Sequence, residues 1–329
     1  MFAHVPVGVW FATITGLLAI VALDLTVIAR RDHAVTIKDA TRWVTFYVAL
    51  AVAFGVGLLV FGRTASGGEF FAGYITEYSL SVDNLFVFVI IISRFAVPAL
   101  AQDKVLYIGI VVSLVLRGAF IAAGAAAIET FSWVFYIFGA FLVYTAVRLV
   151  IEGQNDETDF HENAALRALR RVLPTTPDFA ESNFTTLVEG RRLFTPMIIV
   201  IAAIGLANVI FALDSIPAIF GLTQDPYIVF TANAFALMGL RQLYFLIGGL
   251  LERIIYLNIG LSMILAFIGV KLIIEALHGS HVDSVGALHL PVIGIATSLG
   301  FIIFTLAVTT ASSLGKSHYD RRQLHPDSE

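Results

Sequence analysis

Nine apolar runs, each about twenty residues long, limit what this chain can fold into. They are Val7–Ile28, Trp43–Phe61, Phe70–Ser93, Val105–Ile128, Ser132–Ile151, Pro196–Phe220, Ile228–Leu251, Ile254–Ala276 and Leu290–Ala311. A run of that length crosses the hydrocarbon core of a bilayer as a helix. The runs are too long and too little alternating for barrel strands, and in lipid only helices or closed barrels satisfy their own backbone. A soluble bundle would have to coat nine helices with polar faces. With 58% apolar and 13% charged residues among 329, the chain lacks the material. The expected fold class is all-α: one polytopic transmembrane helix bundle, a single membrane domain over 1–329. The first run has no A-x-A-like site set off by a basic start and is read as a span rather than a signal peptide. There is no cysteine, which excludes a disulfide framework and thiolate metal sites.

Loop charges set the orientation. Taking loops alternately, one side collects Arg30, Arg31, Lys38, Arg42, Arg94, Lys104, Arg167, Arg170, Arg171, Arg191, Arg192, Arg253, Lys316, Arg321 and Arg322. The other side collects Arg63 alone. Basic loops stay in the cytoplasm, so the N-terminus is expected outside and the C-terminus inside, with 312–329 a cytoplasmic tail. The one long loop, 152–195, falls on the cytoplasmic side. It is polar, carries Pro174 and Pro177, and reads as a linker. A short amphipathic helix over Glu162–Leu173, its arginines toward lipid headgroups, is the alternative. The acidic stretch Asn155–Asn163 around His161 matches no coordination-loop spacing.

This loop separates two similar halves. Gly139–Glu152 aligns with Ser262–Glu275, placing Arg148 over Lys271 and Glu152 over Glu275. Upstream, Arg117 matches Arg241, Asp83 matches Asp214, and Glu77 falls over Asn208. Each unit has three spans: 70–151 is the first and 196–276 the second. Three is odd, so the units enter the membrane from opposite sides. That is an inverted-topology repeat, a plan in which transporters place their site at the repeat interface near mid-bilayer.

Carboxylates inside spans are costly and face a protein-lined path or partner. Glu77 and Asp83 lie in the third span, and Asp214 lies in the sixth, followed by Ser215. Glu77 and Asn84, two turns apart, nearly share a helix face; Glu77 and Asp83 do not. Either their partners come from other helices, or the helix breaks around Tyr78–Ser81, as Pro217 permits in the matching segment. Asp24, near the inner end of the first span, is either a third carboxylate of the site or an interfacial anion. Asn233 reads as a further wall residue. Arg117 and Arg241 lock neighbouring helices or act as counter-charges. Arg148 and Lys271 lie close enough to the inner surface to snorkel. Glu252-Arg253 reads as a tight inner turn. Glycines such as Gly118, Gly124, Gly139, Gly239, Gly248 and Gly249 read as close-packing positions. Every histidine sits at or beyond a span end, so the available ligands are oxygens. Oxygen sites suit hard ions such as Mn²⁺, Mg²⁺ or Ca²⁺. No P-loop, nucleotide fingerprint, HExxH pair or nucleophile elbow occurs, so the chain is not read as an enzyme. No cluster of basic and aromatic residues suggests nucleic acid as a partner.

The stretches EYSLSVDNLFVF (Glu77–Phe88), RGAFIAAG with YIFGAFLVYT (within Arg117–Thr145), FALDSIPAIFGLTQDPYIVFTANAFALMGLRQLYFL (Phe211–Leu246) and IGVKLIIEA (Ile268–Ala276) resemble the TerC/Alx family of bacterial integral membrane proteins. The resemblance covers nearly the whole chain. It implies a bacterial cytoplasmic membrane location and a role in metal homeostasis, chiefly manganese export, beside the tellurium resistance that names the family. It places the family's acidic positions on Glu77, Asp83, Asp214 and Asp24. One departure stands out. Where the family pattern reads Glu-x-x-Asp before the FALDSIPA stretch, this chain has Gly205 and Asn208.

The expected function is therefore export of a divalent cation, Mn²⁺ foremost, held among Asp24, Glu77, Asp83, Asn84, Asn208 and Asp214. Arg117, Ser215, Asn233 and Arg241 form a supporting polar network. No covalent cofactor is implied. Protons taken up on vacated carboxylates are the expected counter-ions. The rival is a non-transporting scaffold in metal or tellurite stress that associates with other membrane proteins. An oxyanion carrier using the arginines ranks last, because the carboxylates would repel its substrate.

Overall fold

The computed structural model describes residues 5–29, 36–61, 64–131, 133–152, 176, 179, 184–188, 191–247, 256–280, 282, 284–285 and 288–324. Its helices are α1 (Val7–Ala29), α2 (Ile37–Phe61), α3 (Thr64–Arg94), α4 (Ala99–Thr130), α5 (Val134–Glu152), α6 (Pro196–Phe220), α7 (Pro226–Leu237), α8 (Leu240–Ile247), α9 (Leu257–Gly279) and α10 (Ile295–Leu324). Two antiparallel hairpins lie between them, β1–β2 (Thr185–Val188 and Arg191–Phe194) and β3–β4 (Ser284–Val285 and Leu288–His289). Among the described residues, eight segments are long and apolar enough to cross a membrane, and α1 adds a shorter apolar one over Val7–Leu23. The protein is a polytopic all-α membrane bundle.

Burial separates a core from a lipid-facing shell. The outward faces of α1 and α2 expose Val7, Phe11, Val60 and Phe61, as expected where lipid, not water, is the solvent. By contrast α7 is buried along almost its whole length. Three apolar clusters surround it and its partners α3 and α6.

The packing is reciprocal between the two three-helix units. α5 lies along α9, α4 along α6, α3 along α7, and α3 also meets α6. Exchanging the units maps α4–α6 onto α7–α3 and leaves the α5–α9 and α3–α6 pairs in place. That is the contact pattern an inverted repeat produces. The α5–α9 crossing is close because both backbones are bare there. A Cβ on Gly139 would lie 2.8 Å from Gly269 O, and one on Gly269 would lie 2.8 Å from Gly139 O.

Several local expectations are corrected. α3 runs unbroken through Tyr78–Ser81, and Ser79 Oγ donates back to Ile75 O at 2.7 Å, so no carbonyls are freed there. α6 likewise continues through Pro217, which lies within its last turn. The interruption falls in the seventh span instead. α7 ends at Leu237, and Gly239 adopts φ +93°, a left-handed conformation that glycine tolerates, before α8 begins. Asp225 caps α7, accepting from Tyr227 N at 2.9 Å. Burial pushes its carboxyl up from the ordinary value, and bonds from the Tyr227 and Ile228 amides oppose that.

The loop 152–195 was read as a linker, and the structure builds a hairpin at its end. Thr185–Val188 pairs antiparallel with Arg191–Phe194, from Thr185 opposite Phe194 to Val188 opposite Arg191. Phe194 O accepts from Thr176 N at 2.8 Å, and Lys104 of α4 sits 4.6 Å from the Phe184 ring centre, so the hairpin leans on the bundle end. The proposed helix Glu162–Leu173 and the Glu252-Arg253 turn lie outside the described residues.

Replacing Gly139 by valine forces two apposed backbones apart. We expect Gly139→Val to lower stability by about 1–3 kcal/mol, read as a lower unfolding midpoint of the detergent-purified protein. An unchanged midpoint would show that α5 and α9 do not approach this closely.

Candidate functional site

The third span carries a polar stripe because its register repeats every two turns. Glu77 and Asn84 lie seven residues apart on one side of α3. Glu77 is fully buried and forms an ion pair with Arg117 of α4, which is 1% exposed. With its amide turned so that the oxygen faces the guanidinium, Asn84 Oδ1 accepts from Arg117 Nη2 at 3.2 Å and its Nδ2 donates to Leu80 O at 3.1 Å. Glu77, Arg117 and Asn84 thus form one buried chain. Removing either charge from such a pair strands the other in a low-dielectric interior.

Asn84 is also the end of that chain that meets space. A cavity of about 290 Å³ lies between α3, α5, α6 and α9. Its polar wall is Asn84, Thr145, Arg148, Asp214 and Ser215; its apolar wall includes Leu80, Phe211, Leu261 and Leu265. Thr145 Oγ1 donates to Asp214 Oδ1 at 3.2 Å. The exposed Arg148 guanidinium acts on the Asp214 carboxylate through charge. Ser215 Oγ is buried with no hydrogen-bond partner among the described residues. One water needs about 10–15 Å³ of such space, so a partly hydrated ion fits. The oxygen donors present suit a hard cation.

The remaining expected residues are dispersed. Asn208 is buried at the α4–α6 contact, where its Nδ2 donates to Gly109 O at 2.9 Å. It is not part of the cavity wall. Asn233 is 1% exposed in α7, and both its amide atoms lack partners among the described residues, as do Thr76 Oγ1 and Ser81 Oγ. It too is absent from the cavity wall. Arg241 pairs with Asp103 of α4 at 3.5 Å. Its counterpart Arg117 has Glu77, but the position matching Glu77 holds the uncharged Asn208, which leaves Arg241 a carboxylate on another helix. The backbones of Asp24 and Asp83 lie in α1 and α3, and their side chains lie outside the described residues. Among the described residues no three acidic or histidine side chains gather.

The reading of Lys271 is corrected. It feels the charges of Glu275 and Glu69, and Glu69 Oε2 accepts from Thr223 Oγ1 at 2.6 Å. Glu69 begins α3 and Thr223 follows α6, so Lys271 lies toward the end of the bundle opposite the one that α5 reaches beyond Arg148. Sequence reasoning missed Thr145 and Asp103. Thr145 stands three residues before Arg148 and so on its face, which was the available signal. Asp103 lies in the first turns of α4, where a polar residue draws no notice. At Gly205, a Cβ would lie 3.9 Å from Val112 among the described residues, so a Cβ is accommodated there.

The Integral membrane protein TerC family matches residues 62–320 of the chain. A membrane protein of Mycobacterium tuberculosis, named as uncharacterized, is 44% identical over 312 residues, covering 93% of this chain and 78% of its own length. One of Myxococcus xanthus, also named as uncharacterized, is 44% identical over 267 residues, covering 81% and 83%. An Escherichia coli protein, provisionally named membrane-bound redox modulator Alx, is 38% identical over 308 residues, covering 91% of each chain. No solved structure matches the chain.

Arg117→Gln leaves the Glu77 charge buried alone. We expect it to cost about 3–5 kcal/mol in thermal unfolding, and the double variant Glu77→Gln/Arg117→Gln to regain most of that. Three near-identical midpoints for wild type, single and double variants would refute the pairing.

Proposed function

The chain belongs to the TerC family of integral membrane proteins, and from that premise we propose that it is a secondary transporter exporting a divalent cation, with Mn²⁺ the foremost candidate. The observation that carries this reading is the cavity between the two three-helix units, walled by Asp214, Asn84, Thr145 and Ser215. Carboxylate, carboxamide and hydroxyl oxygens are the donors hard divalent ions prefer, and neither thiolate nor imidazole lines the wall. A site at the interface of inverted repeats is loaded from one side and emptied to the other as one unit rocks against its partner. Arg148 acts on Asp214 through its charge, a part that a bound cation would share. Asp83 and Asp24, on α3 and α1, are the further acids that the resemblance brings to this reading. Protons on the vacated carboxylates supply the return flux. With basic loops in the cytoplasm, loading is cytoplasmic and release external, across a bacterial plasma membrane.

A scaffold role has one specific observation in its favour. The second unit carries Gly205 and Asn208 where the family pattern is acidic, and Asn208 is tied to the Gly109 carbonyl in a helix contact. Such a protein would tolerate neutralisation of Asp214 on the cavity wall.

The test is Mn²⁺ flux in proteoliposomes. Asp214→Asn and Asp83→Asn are each expected to reduce flux at least tenfold, whereas Asn208→Ala keeps more than half. Wild-type flux in Asp214→Asn would defeat the site assignment, and no flux in the wild-type protein would favour the scaffold.

A further inference from the structure

The two units are alike in sequence but not in how tightly their ends are closed. The repeat places Arg148 over Lys271, Thr145 over Ile268, Leu149 over Leu272, and Val87 over Ala218. Arg148, Thr145, Leu149 and Val87 all line the 290 Å³ cavity. Their counterparts Ile268, Leu272 and Ala218 are packed solid, each at 0% exposure, with Phe220 at 1%. Gly221 presses so close that a Cβ there would run into Ile268 and lie 3.1 Å from Leu272 Cγ.

Helix α9 shows what this layer separates. Its Leu261 and Leu265 wall the first cavity. One turn on come Ile268 and Leu272. Lys271, Ile274, Glu275 and His278 then line a second cavity of about 180 Å³, beside Pro291 and Ile293. Lys271 is only 8% exposed and feels both Glu275 and Glu69. From Leu265 to Lys271 the helix rises roughly 9 Å, so the closed layer is about two side chains thick.

We infer that the structure is the state open only along Arg148, and that the exit is the pseudo-symmetric path past Lys271, shut by the Ile268–Leu272–Phe220 layer against Gly221. The inference rests on the transport reading. Opening the layer joins the two cavities and leads a cation from Asp214 toward Glu69, Glu275 and His278. Because the units share one helix plan, the same movement packs Leu149 and Thr145 as tightly as Leu272 and Ile268 are packed here. Such exchange of open and closed halves is how two alternative packings give alternating access.

The chain has no cysteine, so single-cysteine variants report access directly. In sealed vesicles of each orientation, a membrane-impermeant maleimide is expected to label Leu149→Cys from the face carrying the 152–195 loop. Leu272→Cys is expected to label at least tenfold more slowly from either face. Adding Gly221→Leu wedges the layer. Labelling of Leu272→Cys from the opposite face should rise at least fivefold, and that of Leu149→Cys should fall. Unchanged labelling at both positions, or a rise at Leu272→Cys from the loop face, overturns the inference. If Gly221→Leu does not fold, Leu272→Cys alone in proteoliposomes under a Mn²⁺ gradient serves; no rise while flux is measured overturns the inference and spares the transport reading. Reciprocal labelling without flux does the reverse.

Discussion

Hydrocarbon offers no water to a polar atom, and that constraint shapes the whole molecule. The backbone meets it by forming helices in every span. The side chains meet it by finding each other, and Glu77 with Arg117 is the case on which the core depends. Their pairing ties α3 to α4 in the first unit, and Asn84 carries the polar chain from that pair to the cavity shared with the second. Structure and site therefore meet in one run of residues: the pair that holds the helices also orients a donor on the cavity wall.

The second unit solves the same problem differently. Asn208 carries no charge, so Arg241 turns to Asp103, and the carboxamide bonds a backbone carbonyl of α4. The buried charge pair at the α3–α4 contact has an uncharged, hydrogen-bonded counterpart at the α4–α6 contact. The carboxylate on the cavity wall, Asp214, comes from this second unit, while Thr145 and Arg148 reach it from the first. Related sequence thus satisfies its buried polar groups differently in the two halves.

Much of this was legible in the residues. Nine apolar runs specify the helices, because in lipid length and hydropathy decide, and the alignment of Arg117 with Arg241 and of Glu152 with Glu275 anticipates the reciprocal packing. Partner choice was not legible. Nothing in the spacing of Glu77 says that Arg117 satisfies it, since the helices meet only through tertiary packing. The break at Gly239 was read as a packing glycine because one glycine in an apolar run does not announce its φ. Of the two alternatives for Glu77 and Asp83, a helix break at Tyr78–Ser81 or partners from other helices, the structure has Glu77 paired with Arg117 of α4, and Ser79 bonds within the unbroken helix. The hairpin before α6 reads as linker in the sequence although Thr185–Val188 carries strand-type residues.

The central claim is that a hard cation rests between the two units, against Asp214 and beside Asn84. Anomalous scattering from crystals grown with Mn²⁺ tests it most directly. The account predicts a single strong peak in the cavity between α3 and α6, within coordination distance of the Asp214 carboxylate. Manganese found only at the membrane surface, with that cavity holding no peak, would contradict it.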